Sequence, residues 1–118
     1  MQDPGATPGK PEVPFEAFAA LDLRSARVLR AEAHPNADRL LVLTIDLGAL
    51  GERQVVAGIA AQHRPEDLVG RTIIVVTNLK PVRLRGVESR GMLLAAQAGE
   101  RIVLLTAAGE VPPGTAVS

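Results

Sequence analysis

The chain has 118 residues, a length that suits one domain. Hydrophobic residues make up 47% and charged residues 22%, which excludes a wholly disordered chain. Lys plus Arg and Asp plus Glu both number 13, so a polyanion partner can be signalled only by local clustering. Cysteine is absent, which excludes disulfides, thiol nucleophiles and cysteine metal sites.

Residues 1–14 carry Pro4, Pro8, Pro11 and Pro14 with Gly5 and Gly9, the composition of a tail or linker. A domain is expected over 15–118. It opens with a short helix after Pro14, with Glu16 in its first turn and Phe15, Phe18 and Ala19 on one face. Both Phe residues, the only aromatics of the chain, are expected in the core.

From Leu23 the pattern becomes β. Leu23 to Ala33, interrupted by Arg24, Arg27 and Arg30, predicts a long, bent strand. His34 to Asp38 is a turn, Arg39 to Asp46 a strand, 47–52 a hairpin loop and Arg53 to Ile59 a strand. Arg64 to Leu68 reads as one helical turn closed by Gly70. Arg71 to Thr77 is the most β-like stretch, and Asn78 to Arg90 a long polar loop. Gly91 to Gln97 and Arg101 to Thr106 pair around Ala98-Gly99-Glu100, and Val111-Pro112-Pro113-Gly114 turns into a last extended piece. Short strands without long helices predict an all-β barrel or sandwich.

Several strands are apolar on both faces, as in Ile73 to Val76, Leu40 to Leu43 and Ile102 to Leu105. A barrel interior takes one side of each strand. The other side needs a cover, which predicts a homodimer.

An enzyme is not expected. His34 and His63 are the only histidines, no nucleophile elbow or glycine-rich phosphate loop occurs, and no catalytic residue, metal or cofactor is assigned. Charge clustering is more informative. Residues 71–92 hold Arg71, Lys80, Arg83, Arg85 and Arg90 against Glu88 alone. Cations with Asn78 and Ser89 on a glycine-punctuated loop suit phosphates and sugars, and they equally suit a solvated loop. With no aromatic platform left over, nucleic-acid binding here would read backbone and shape.

Five blocks then occur in order: Leu21 to Arg24, His34-Pro35-Asn36-Ala37-Asp38-Arg39-Leu40, Arg53 to Ala60, Asn78-Leu79-Lys80-Pro81, and Leu84 to Ala96. Together they resemble the tRNA-binding domain found at the C-terminus of bacterial methionyl-tRNA synthetase and in free-standing tRNA-binding proteins, over about residues 15–118. The resemblance implies a five-stranded OB-fold barrel with short helical pieces and a C-terminal β extension. It also implies a non-catalytic homodimer that recognises the outer corner of tRNA and serves an aminoacyl-tRNA synthetase in protein biosynthesis, in a chain whose lack of cysteine, of a long apolar run and of a signal-like start leads to the expectation of a cytoplasmic protein.

Carried over by position, the RNA-facing residues are Asn78, Lys80, Arg83, Arg85, Ser89, Arg90 and Met92. Lys80, Arg83 and Arg85 would meet phosphates, Asn78 and Ser89 would donate to sugar or phosphate, and Met92 would pack on a ribose or base or else within its strand. His34 to Asp38 is assigned a structural turn. One departure stands in the first strand, where the family usually reads Leu-Arg-Val-Gly and this chain reads Leu23-Arg24-Ser25-Ala26. The alternatives are a peptide-binding chaperone of the export type, which shares the fold and would want an apolar groove, and a dimerisation module.

Overall fold

A computed structural model describes residues 7–118. Residues 7–14 have no regular structure and are exposed, and the rest of the expected tail lies outside the described residues. Helix α1 (Phe15–Ala19) follows, with Pro14 as its N-cap. Strand β1 (Leu23–Ala33) pairs with β2 (Leu41–Asp46), and β2 with β3 (Glu52–Ala57). The one-turn helix α2 (Pro65–Leu68) leads into β4 (Thr72–Val76), which returns along the first half of β1. Then come β5 (Val82–Leu84), β6 (Val87–Ser89), β7 (Met92–Leu93), β8 (Ala95–Ala98), β9 (Arg101–Leu104) and β10 (Ala116–Val117).

The main sheet runs β3-β2-β1-β4-β7, with β10 added beside the start of β1. It curls into a nearly closed five-stranded barrel. Strand β1 is long enough to serve two partners because it bends, and its register with β2 shifts between Val28 and Arg30. The barrel closes where the segment after β6 meets β3. There the Arg90 N–H donates to the Gln54 carbonyl at 2.9 Å, and the Val56 N–H donates to Ser89 Oγ at 2.9 Å. Gly91 sits at this seam at φ 139°, and a Cβ would lie 3.2 Å from the methyls of both Val55 and Val75. Only glycine suits that backbone and that space.

The interior is aliphatic. Ala26, Val28, Leu43, Ile45, Val55, Ile73 and Val75 fill it, and Leu47 and Leu68 plug its ends. Burial of this order, at about 25 cal/mol per Å² of apolar surface, is the main term favouring the fold. Ala26 is fully buried opposite Ile73, so the small residue keeps the close approach that the usual glycine would allow. Its neighbour Ser25 anchors the C-terminal extension. Its hydroxyl donates to the Pro112 carbonyl at 2.9 Å and accepts from the Thr115 N–H at 3.0 Å.

Three expectations need correction. Neither Phe enters the core: Phe15 is 74% exposed and Phe18 42%, and α1 buries no residue. The helical spacing is real, but the five-residue helix leaves its face outside the barrel. The outer side of β4 is not bare, because Ile74 and Val76 form a second cluster with Leu23, and Leu94 packs against it. Leu94, between β7 and β8, therefore supplies part of the cover that a partner was invoked to give. Finally, 78–90 is not one loop: β5 and β6 form a hairpin within it, with Val82 opposite Ser89 and Leu84 opposite Val87.

Candidate nucleic-acid interface

The hairpin turn is Arg85-Gly86, with Arg85 at φ 53° and Gly86 at φ 91°. Both residues are left-handed, as a two-residue hairpin turn matched to strand twist requires. Arginine is an unusual occupant of that position, and Arg85 is the one non-glycine residue at positive φ among the described residues.

The β1–β2 turn holds this tip in place. His34 is buried at 6% exposure. Its Nε2 donates to the Leu84 carbonyl at 2.9 Å, while Nδ1 accepts from the Asn36 N–H at 2.9 Å. The neutral ring with its proton on Nε2 satisfies both bonds at once. The Asn36 side-chain amide reaches the Arg85 carbonyl at 3.4 Å. Pro35 and Asn36 make the turn, and the imidazole ties it to a carbonyl fifty positions later. His63 is likewise structural, with Nε2 2.8 Å from the Ile102 carbonyl.

Lys80, Arg83, Arg85 and Arg90 are exposed on or beside the hairpin. The two ion pairs among the described residues are Arg24–Asp22 and Arg64–Glu66, so none of these four cations takes part in one. Arg83 lies across from Glu88 on the outward face of the hairpin, while Val82 and Leu84 share the opposite face. Four charges without an ion-pair partner on a tied-down hairpin can engage a polyanion at little cost in lost contacts.

Two of the sequence-assigned residues are already engaged. Ser89 is 3% exposed. Its Oγ accepts from Val56 and donates to the Gly91 carbonyl at 3.0 Å, which leaves no proton for a ligand. Asn78 caps the junction between α1 and β1. Its Oδ1 accepts from the Asp22 N–H at 2.8 Å, and its Nδ2 donates to the Ala20 carbonyl at 2.7 Å. Ser89 is thus buried in the barrel seam, whereas Asn78 is itself exposed. Met92 pairs with Val76 in the sheet yet remains 49% exposed, so it combines strand packing with an open face.

Of the arginines on β1, Arg24 and Arg30 differ in their surroundings. Arg24 turns to Asp22 at 3.0 Å, whereas Arg30 is exposed. Sequence reasoning missed a cavity of about 420 Å³ between the hairpin and β7, lined by Val56, Leu79, Lys80, Val82, Leu84 and Met92 among others. The alternation of apolar residues at 82 and 84 was the available signal. Among the described residues no group of three His, Cys, Asp or Glu could hold a metal ion, and no helix is long and apolar enough to cross a membrane.

A small curled barrel carrying a basic hairpin defines an OB-type binding domain. The family model described as "Putative tRNA binding domain" matches residues 23–116, and the chain belongs to that family. It is 55% identical over 106 residues to methionine–tRNA ligase of Thermotoga maritima, covering 90% of this chain and 17% of the relative. The Methanothrix thermoacetophila enzyme is 53% identical over 108 residues, covering 92% of this chain and 16% of the relative. The chain thus spans about a sixth of the length of these curated relatives. Among solved structures, a MetRS-related protein from Pyrococcus horikoshii superposes with TM-score 0.86 at 35% identity, covering 92% of this chain and all of the other. The chaperone CsaA from Bacillus anthracis gives TM-score 0.82 at 39% identity, with the same coverage.

Proposed function

We propose that the chain is a non-catalytic tRNA-binding module that acts as a homodimer and serves an aminoacyl-tRNA synthetase such as the methionyl enzyme. The observation that carries the RNA reading is the hairpin with Lys80, Arg83, Arg85 and Arg90 exposed and outside any ion pair, fixed to the barrel by His34. Lys80, Arg83, Arg85 and Arg90 meet phosphates, and Met92 packs against a sugar or base. Asn78 and Ser89 hold the backbone that presents them. With no exposed aromatic on the hairpin, recognition rests on the shape of a folded RNA.

The dimer reading rests on an apolar rim. Beside the Leu23–Ile74–Val76 cluster, Val117 pairs with Leu23 and Leu105 donates its N–H to the carbonyl of Leu94; both are exposed, as are Phe15, Phe18 and Leu21 in and after α1. A rim of this kind on a small domain suits a two-fold partner.

The test is a titration with folded total tRNA at several salt concentrations. The native protein binds with a steep salt dependence. The Arg83→Ala/Arg85→Ala protein folds normally, binds more weakly and loses roughly one unit of slope for each lost phosphate contact. An unchanged slope in the double variant places the RNA surface elsewhere. Binding to an unfolded polypeptide with no preference for tRNA would favour the chaperone reading.

A further inference from the structure

We infer that the cavity between the β5–β6 hairpin and β7 is a subsite for one unstacked nucleobase of a folded RNA, held by its faces and not read at its edges. The inference rests on the tRNA reading and extends it to a ligand group and a pocket.

Three observations carry it. The first is the make-up of the walls. Leu79, Val82, Leu84 and Met92 face about 420 Å³ of open space, and Leu79, Val82 and Met92 are each two-fifths or more exposed. A base that leaves its stack exposes two apolar faces, and aliphatic walls cover them at the usual return per unit of buried area.

The second is the charge around the mouth. Lys80 lines the cavity itself, and Arg90 is exposed between Ser89 and Gly91, which both line it; Arg83 stands on the opposite face of the hairpin and Arg85 at its tip. A nucleotide is an apolar plate joined to an anion. It suits an apolar slot with a cationic border, whereas an apolar peptide would leave those cations unused.

The third is the absence of a free reading group in the floor. Ser89 lines the cavity, but its hydroxyl is spent on Val56 and Gly91. Base-edge readout needs uncommitted donors and acceptors. With the Ser89 hydroxyl committed and Lys80 the remaining side-chain donor on the lining, the subsite selects for an unstacked base more than for its identity. Such a subsite favours loops and corners over regular helix without demanding one sequence.

The composition supplies a direct probe. Met1 and Met92 are the only methionines of the chain. Protein labelled with ¹³C in the methionine methyls gives two signals, and Met92→Leu identifies the one from the cavity. Folded total tRNA, an apolar unfolded peptide and a concentration series without RNA are followed by this signal, with anisotropy titrations alongside. A base over Met92 produces an upfield ring-current shift with tRNA only. Val82→Ser then weakens tRNA binding by about tenfold, the scale of one lost base contact, while the salt slope stays unchanged.

Tight tRNA binding with an unmoved Met92 signal and an undiminished Val82→Ser affinity overturns the subsite and leaves the tRNA reading standing. No binding to tRNA at all overturns that reading. A shift with the peptide but not with tRNA assigns the cavity to a protein ligand. A shift with protein concentration alone assigns it to a second copy of the chain. Either of these last two results also overturns the nucleobase subsite.

Discussion

Replacing His34 with alanine tests whether the β1–β2 turn holds the basic hairpin. The ring is 6% exposed and makes two hydrogen bonds, to the Leu84 carbonyl and from the Asn36 N–H, each at 2.9 Å. Truncation removes both and strands two backbone groups in a partly buried setting. Each such group costs about 1–3 kcal/mol when water cannot replace the partner. Water can reach the Asn36 side of the turn, so the sum should fall near 2–4 kcal/mol. For a domain of this size 1 kcal/mol corresponds to roughly 4–5 °C, so the melting temperature should drop by about 8–20 °C. Asn36→Ala removes only a 3.4 Å side-chain contact at an exposed site, and its cost should stay under about 1 kcal/mol. Thermal melts followed by circular dichroism give both numbers. Titration with tRNA well below either midpoint then asks whether the folded His34→Ala protein binds more weakly with its arginines intact. A His34→Ala protein that melts within a degree or two of the native one would refute the claim that the ring ties the two segments together.

Ser89→Ala leaves the Val56 N–H without its acceptor, which should cost about 1–3 kcal/mol in denaturant unfolding. The tRNA affinity of the folded variant should change little; a clear loss of affinity with the arginines intact would mean that Ser89 meets the RNA after all. Gly91→Ala forces a side chain onto a φ of 139° and against Val55 and Val75, and should destabilise by roughly 2–4 kcal/mol. A melt within about 1 kcal/mol of native would mean that the barrel seam is looser than described. Phe15→Ser/Phe18→Ser should leave the barrel fold intact, since both rings are exposed, and shift sedimentation toward monomer. An unchanged sedimentation profile would remove α1 from the proposed interface.

Much of the barrel could be read from the sequence, because its strands announce themselves locally. Ile73 to Val76 has β-branched residues on both faces, and Ala98-Gly99-Glu100 marks a turn between two apolar runs. The bend in β1 could be read from its misplaced arginines. What escaped depends on distant partners. Phe15 and Phe18 have helical spacing, but spacing cannot say whether a face meets the chain's own core. The 82–89 hairpin was hidden because its turn is Arg85-Gly86 in place of the familiar Asn-Gly. Ser89 and Asn78 look like free donors on a polar stretch. Their actual partners lie 33 positions away at Val56, and 56 and 58 positions away at Asp22 and Ala20. Charge clustering located exposed cations from the sequence alone, while the hydrogen-bond partners of Ser89 and Asn78 are visible only in the fold.

The pairing of Leu23 with Val117 carries an architectural consequence. The first strand of the barrel and the last are neighbours, so the points where the polypeptide enters and leaves lie side by side. A host protein could accept such a unit at one surface position through two short tethers, without stretching either across the barrel. By the same geometry, a short glycine–serine bridge joining the two ends, with new ends opened in the β8–β9 turn at Gly99, should yield a rearranged chain with the same barrel. The module can then travel between larger proteins as a graft that brings its own folding instructions.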